Sequence, residues 1–562
     1  MKKIFGKRIT IIAVAILISV SSYISLGFVS SYFEVSKNLD IFATLYRELN
    51  IYYVEDTDPG KLMKTAIDAM LESLDPYTVY IPESQIEDFK MMMTGQYGGI
   101  GASIQNRGDY VIITEPYENF PAHKAGLMAG DKILEIDGKP LKGKTSSEVR
   151  EILLGQPNTP VKILIQRPGT EGTFEKTVIR EEVKINDVPY FGMLNNETGY
   201  IKLTGFTETA TKEVKTALVD LKAKQAKSII LDLRGNGGGL LNEAVNIVNL
   251  FVNKGELVVS TKGKVKEWEK EYRALNTPVD TEIPMVVLVD GGSASASEVV
   301  AGALQDLDRA IVIGQNTYGK GLVQSARPLS YNSKFKVTVS KYYVPSGRCI
   351  QRLDYSHRDD EGKVNAVPDS LRKEFTTLKN KRKVLDGAGI EPDITIEEEK
   401  PSEILQSLFS NHLLFDFATD FRIKHSSIEP AKTFRVSENE YSNFMEFLKD
   451  KEYDYTTVSE DMLEKLKEAS VEEKYYASIE KEFILLKEKL SHNKNEDLIL
   501  FKNEIKNFLE IEIVSRYFYQ KGQVENVLSK DDCISAAFEV LGNKQKYSNI
   551  LKGIEKGDKT KK

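Results

Sequence analysis

The spacing of apolar residues changes along the chain and divides it before any motif is considered. Over residues 34–93, Leu39, Phe42, Leu45, Tyr46 and Leu49, then Leu62, Ile67, Met70, Leu71 and Leu74, recur three and four apart, which predicts amphipathic helices. The run Met91-Met92-Met93 reads as packing against a neighbouring module rather than as a soft ligand patch. From Tyr97 to about Arg180 the pattern becomes short apolar strands broken by turns. These are Tyr110 to Thr114, Lys132 to Ile136 with the turn Asp137-Gly138, and Val161 to Arg167, with one helix at Ser146 to Leu154. From 185 to 400 strands and helices alternate. Strands are expected at Tyr200–Leu203, Ser228–Leu233, Met285–Val289, Ala310–Ile313, Leu322–Pro328 and Lys336–Tyr343, and helices at Thr211–Lys222, Leu240–Phe251 and Glu298–Leu307. That alternation predicts an α/β domain with a largely buried sheet. Beyond Pro401 the chain is helical and rich in Lys and Glu, the pattern of a solvated accessory region. The expected divisions are 1–33, 34–95, 96–182, 183–400 and 401–562.

Composition narrows the function. A chain of 562 residues exceeds what one core organises, so several folded units are expected. A net charge of −7 carries no basic footprint, which argues against nucleic acid as a partner. Cys349 and Cys533 lie far apart without CxxC spacing, so neither a disulfide framework nor a structural zinc site is expected, and a single bridge stays open. Lys2, Lys3, Lys7 and Arg8 precede an uncharged stretch from Ile9 to Phe33, long enough to span a bilayer. It reads equally as a retained anchor or as a signal peptide leaving at Ser21-Ser22, and either sends the chain after Glu34 across the membrane.

Three glycine-rich junctions carry candidate chemistry. Asp290-Gly291-Gly292-Ser293-Ala294-Ser295-Ala296-Ser297-Glu298 follows a buried strand and opens a helix, which displays a serine where helix N–H groups can stabilise an anion. Ser295-x-x-Glu298 also fits a capping box, which needs no catalysis. Gly314 to Gly321 nearly spells a phosphate loop, but Gly321 stands where Ser or Thr would hold magnesium, and a strand rather than a helix follows. A lysine in such a loop can instead be desolvated, which disfavours the ammonium and lets Lys320 act as a base. His123, His357, His412, His425 and His492 all lie outside these loops, so a Ser-Lys dyad is the simpler arrangement. Gln324, four positions beyond Lys320, falls on the same strand face and could orient the amine. The third junction, Leu231-Asp232-Leu233-Arg234-Gly235-Asn236-Gly237-Gly238-Gly239, would lie at the same sheet edge. Backbone N–H groups of Gly238 and Ala296 could then converge on a carbonyl oxygen.

Ala125-Gly126-Leu127 and Gly130 to Gly138 resemble a PDZ domain, with Gly98-Gly99-Ile100-Gly101 as the loop whose N–H groups would take a terminal carboxylate. Set behind that segment, the strings LDLRGNGGGLL, GSASASEVVAGALQD, GKGLVQ, VPSGRCIQ and GIEPDI resemble the carboxyl-terminal processing peptidases of serine peptidase family S41, over roughly residues 40–400. The resemblance implies Ser295 as nucleophile, Lys320 as base and Gln324 in support, with Ala296 and one loop glycine as oxyanion donors. Gly238 is chosen for that glycine, with Gly237 and Gly239 close behind. It also implies a crotonase-like core with an inserted PDZ domain, no metal or organic cofactor, and protein substrates with free apolar C-termini. A bacterial envelope location, anchored in the inner membrane or periplasmic, and a possible homo-oligomer complete the expectation. The alternative is a PDZ-containing peptide-binding protein with an inactive core, and a nucleotide-binding ATPase stands third.

Overall fold

The strand Ser228–Asp232 is buried along its whole length, as is Met285–Val289. Strands of that kind persist only in a sheet covered on both faces. The computed structural model describes residues 32–359, 361–397, 400–490 and 493–555. It places these two strands at the centre of a six-stranded sheet whose spatial order follows the chain: β1 Tyr190–Met193, β2 Thr198–Lys202, β3 Ser228–Asp232, β4 Met285–Val289, β5 Ile311–Gly314 and β6 Ile394–Thr395. Only β1 is antiparallel to its neighbour. Successive parallel strands need crossovers, supplied in part by the helices α1 Ala210–Ala223, α2 Leu241–Asn249 and α3 Ala296–Asp306.

Alternate strand residues face opposite ways, and the two faces have different covers. Ile229, Leu231, Met285, Val287 and Val312 pack with α1, α2 and α3. Ile230, Val286, Leu288, Ile311 and Ile313 pack with Leu528 and with α4 Asp532–Gly542 and α5 Lys544–Leu551, through Ile534, Ala537, Val540 and Ile550. The Tyr547 hydroxyl also accepts the Met285 N–H at 3.0 Å. Residues 528–551, in a region expected as solvated, therefore cover the second face of the sheet. Each large aliphatic side chain buried here is worth roughly 1.5–3 kcal/mol.

A second, antiparallel sheet pairs Leu322–Pro328 with Lys334–Tyr343, and Lys334–Tyr343 with Leu257–Gly263 and then Lys270–Arg273. The PDZ-like segment is an antiparallel sheet in the order Ala102–Arg107, Tyr110–Pro116, Lys132–Ile136, Pro160–Gln166 and Phe174–Ile179, with the short strand Lys139–Pro140 also paired to Lys132–Ile136. Its helix Ser146–Leu153 begins on a Thr145/Glu148 capping box and buries Val149 and Leu153. The chain enters and leaves this segment through a two-stranded ribbon, Gln96–Gly99 against Glu181–Lys184. Residues 404–514 build a separate helical core around Phe417, Phe444, Leu509 and Ile513.

Described residues 32–80 form a compact unit of their own. Helices span 32–52 and Pro59–Glu72, joined by a Tyr46 hydroxyl bond to the Pro59 carbonyl at 2.6 Å. Among the described residues no helix is long and apolar enough to cross a membrane. The stretch read as membrane-directed lies outside them apart from Tyr32 and Phe33. Cys349 and Cys533 are both free thiols.

Candidate active site

β4 runs into the serine-rich loop, and that loop is stitched to the glycine-rich loop after β3. Asp290 accepts the N–H groups of Gly235, Gly292 and Ser293 at 2.9, 2.9 and 3.0 Å. Ser293 Oγ donates to the Leu233 carbonyl at 2.9 Å and Ser297 Oγ to the Asn236 carbonyl at 2.8 Å. The outer serines of Ser293-Ala294-Ser295-Ala296-Ser297 are thus structural, each binding a carbonyl of the neighbouring loop. Ser295 sits between them as the N-cap of α3, 7% exposed, with φ 56° and ψ −112°. A non-glycine residue held there stores strain of about 1–3 kcal/mol, and such strain concentrates at functional turns between strand and helix.

The carboxylate of the cap reaches further than a cap requires. Glu298 Oε2 accepts the Ser295 N–H at 2.8 Å and the Lys320 N–H at 2.9 Å. Oε1 accepts the Gly319 N–H at 2.7 Å and the Thr317 hydroxyl at 2.6 Å. Burial pushes the Glu298 carboxyl up, against the pull of these four donors. Capping and site-building, which the sequence set against each other, are done by one side chain. Thr317 in turn accepts the Ile390 N–H at 2.7 Å, which ties in the GIEPDI string.

The Gly319-Lys320-Gly321 loop lies flat against residues 351–352. Arg352 N–H donates to the Gly319 carbonyl at 2.9 Å, and Gly321 N–H to Gln351 Oε1 at 2.8 Å. A Cβ at Gly321 would stand 2.5 Å from the Gln351 nitrogen, and one at Gly319, where φ is +86°, 2.4 Å from Arg352 Cβ, so neither position admits a side chain. Lys320 is half-buried between them. Tyr342, on the adjoining strand, donates its N–H to the Gly321 carbonyl at 2.7 Å. Burial pushes its phenol up to about 12, and an interaction with the Ser295 hydroxyl pulls the other way. Sequence reasoning passed over Tyr342, since within an apolar strand it carries no signal beyond core packing.

Ala296, the first residue of α3, carries one of the N–H groups that a helix cannot satisfy internally. Gly238 approaches it closely: a Cβ there would lie 2.9 Å from the Ala296 nitrogen and 2.9 Å from Ser295 Cβ. The Gly238 N–H itself donates to Asn236 Oδ1 at 2.9 Å. The alternation argument for Gln324 does not hold, because the strand begins at Leu322 and its register shifts between Val323 and Gln324. The Gln324 amide donates to Thr338 at 3.2 Å.

In the PDZ-like segment, Gly98 and Gly99 belong to the ribbon strand, and a Cβ at Gly98 would come within 2.1 Å of the Gly155 carbonyl oxygen. Ile100 is buried and Gly101 has φ +70°. A groove opens beside them between Ala102–Arg107 and Ser146–Leu153, lined by Tyr97, Ile100, Ile104, Tyr117 and Leu153. Met91 and Arg150 close its flank, Arg150 lying 2.8 Å from Asp88 and 3.2 Å from Met91 Sδ. Met91 thus contacts Arg150 of the PDZ-like segment, whereas Met92 is exposed.

Comparison with known proteins decides the family. Residues 197–355 match peptidase family S41, 112–167 match a PDZ domain, and 404–541 match a probable PDZ-protease C-terminal helical domain. Over 321 residues the chain is 37% identical to the carboxy-terminal-processing protease of Bartonella bacilliformis, covering 56% of this chain and 73% of that one. The chain belongs to the carboxy-terminal processing branch of serine peptidase family S41. A second S41 relative, the carboxy-terminal processing protease CtpA of Bacillus subtilis, is 35% identical over 308 residues, 55% of this chain and 65% of its own. Among solved structures, a photosystem II D1 C-terminal processing protease is 30% identical, covers 55% of this chain and 89% of its own, and has a TM-score of 0.33. The S41 match ends well before the helices that cover the sheet's second face, so the family's core alone does not describe the packed domain seen here.

Proposed function

We propose that this S41 peptidase is an endopeptidase with a Ser-Lys dyad, selecting proteins by their free apolar C-terminal tails. The observation that carries it is the shared oxygen of Glu298. Because Ser295 N–H and Lys320 N–H both donate to Oε2, their nitrogens are no farther apart than those two bonds laid end to end. The serine is strained and little exposed, and its neighbour lysine is framed by close-packed glycines. In this reading the Lys320 amine takes the Ser295 hydroxyl proton as Oγ bonds to the peptide carbonyl carbon. The resulting oxyanion is met by the Ala296 N–H and by a loop glycine. Gly238 can serve only while sharing its N–H with Asn236; Gly237, where an added Cβ would meet open space, and Gly239 are the other candidates. Collapse breaks the C–N bond and the Lys320 ammonium returns its proton to the leaving amine. Water activated by the same amine then releases the acyl group. Gln324 supports the dyad through the strand pair with Thr338. Gly98 to Gly101 and the groove beside them hold the substrate's C-terminus by strand addition.

The core is crotonase-like in this reading, and the protein works in the bacterial envelope, directed there by its N-terminal segment as an anchored or released periplasmic enzyme that can form homo-oligomers. A fluorophosphonate serine probe tests the chemistry. Labelling of the purified protein on Ser295 is expected, and its loss in Ser295→Ala. Absence of labelling, or labelling elsewhere, would leave the inactive PDZ-containing binding protein as the better account.

A further inference from the structure

The glycine-rich loop beside Ser295 is anchored at its entrance by a charged cluster to which the far end of the chain contributes. Arg234 immediately precedes Gly235. Its guanidinium meets Asp232, with Nη2 at 2.7 Å from Oδ2 and Nε at 3.0 Å from Oδ1. Its N–H donates to Asp232 Oδ1 at 2.9 Å, and its carbonyl accepts Lys202 Nζ at 2.8 Å. Lys202 also pairs with Asp232 at 3.2 Å, and the Tyr200 hydroxyl donates to the same carboxylate at 2.7 Å. Two cations thus share one buried carboxylate, and one negative charge is still required. Asp531 supplies it, with Oδ2 2.7 Å from Arg234 Nη2 and its side chain 6% exposed. Asp531 lies outside the segment that matches the peptidase family and inside the helical one.

We propose that Asp531 is a positioning residue for the peptidase site, acting through Arg234 to fix where the Gly235–Gly239 loop leaves β3. The inference rests on the functional reading above. The path is short and continuous: Asp531 holds Arg234, the next residue Gly235 is held by Asp290, and Asn236 accepts from Ala294 and Ser297 on either side of Ser295. Without Asp531 the cluster keeps two cations against one carboxylate in a site where unpaired charge is costly. Arg234 must then turn to solvent or toward Asp531's vacated place, and the loop entrance moves with it. The helical region that covers the sheet would in this way also set the geometry of the oxyanion-binding loop.

Asp531 has a second duty that makes the test clean. Its Oδ1 caps α4, accepting the Cys533 and Ile534 N–H groups at 2.8 and 3.1 Å. Asn caps a helix as well as Asp does, so Asp531→Asn in the full chain removes the charge facing Arg234 and keeps the cap. Asp531→Ser, which can cap but not reach Arg234, serves as a second variant. Both should lower kcat roughly tenfold, the factor attached to one strong charged hydrogen bond. KM and binding of an apolar-tailed peptide should stay near wild type, while the melting temperature falls because Arg234 loses a buried charge partner. Arg234→Lys and the Arg234→Lys/Asp531→Asn double variant then test the route. If Asp531 acts through Arg234, the double variant is no slower than Arg234→Lys alone. A kcat within twofold of wild type for Asp531→Asn, or losses that multiply in the double variant, would overturn the proposal. Ser295→Ala measured alongside separates the two claims: activity surviving there defeats the functional reading itself, whereas an inactive Ser295→Ala with a fully active Asp531→Asn defeats only this inference.

Discussion

Replacing Glu298 by Gln changes one accepting oxygen into a donating NH2 and little else in size or shape. Four donors converge on the carboxylate, two on each oxygen. The amide nitrogen has one tolerable orientation, toward Thr317, whose hydroxyl can turn and accept; Gly319 N–H is then left facing a donor. Orphaning a buried N–H costs about 1–3 kcal/mol. Against this stands relief, because burial that pushes the Glu298 carboxyl up no longer penalises a charge. The two effects oppose, so the unfolding free energy should change by no more than about 2 kcal/mol. Activity is the sensitive readout. Bonds from Ser295 N–H and Lys320 N–H to an ionised acceptor are worth roughly 1 kcal/mol more each than to a neutral amide oxygen, or ~2 kcal/mol for the pair. If that restraint is what aligns serine and lysine, kcat falls about 30-fold. Glu298→Ala removes every acceptor and should unfold earlier, by ~4 kcal/mol or more. Single-turnover cleavage of an unfolded model protein with an apolar tail, with urea unfolding in parallel, measures both. Wild-type kcat in Glu298→Gln together with wild-type stability in Glu298→Ala would refute the idea that this carboxylate aligns the site.

Further outcomes follow from the same geometry. Ser295→Ala should abolish cleavage while leaving the melting temperature and tail binding near wild type, and residual turnover above background would remove Ser295 from its role. Lys320→Arg should be nearly as damaging although charge is retained, because a guanidinium cannot be deprotonated in a protein; unchanged turnover at neutral pH would require another base. At low substrate concentration, a model protein with a free apolar tail should be cleaved faster than the same protein with an amidated or an Asp-Asp tail, and equal rates would deny tail selection to the PDZ segment. Burial pushes the Asp232 carboxyl up, but Arg234 and Lys202 outweigh it and hold it well below the ordinary carboxylate range. The stability it lends is fully present above its unfolded value of about 4 and is lost as pH falls toward the lowered folded value. Urea unfolding between pH 5 and 3 should therefore show a steeper loss for wild type than for Asp232→Asn, and parallel curves would contradict the assignment.

Much of the core was legible because its signals are local. The strand expected at Met285–Val289 is found at those residues, and Leu322–Pro328 likewise, since uninterrupted apolar runs and glycine punctuation need no knowledge of the fold. Other elements were missed for a physical reason. Lys270–Arg273 pairs as an edge strand of the second sheet although it reads Lys-Glu-Tyr-Arg, because an antiparallel edge can be polar on its exposed side. Gln324 was assigned a face by counting, and a one-residue register shift is invisible to counting.

Sequence alone nominated the candidate residues: a serine between two others at a strand-to-helix turn, a lysine framed by glycines in a loop that departs from the phosphate-loop pattern at Gly321, and a glycine-rich segment after a third buried strand. Those choices depend on residue type and near spacing, which a chain carries openly. Only the tertiary structure decided what each neighbour is for. Ser293 and Ser297 bind the opposite loop, Glu298 accepts from both the serine and the lysine backbone, and Asp531 reaches Arg234 from the other side of the sheet. Nothing in the sequence joins residue 531 to residue 234, since hydrogen bonds and charge pairs act over a few ångströms of space and carry no record of separation along the chain.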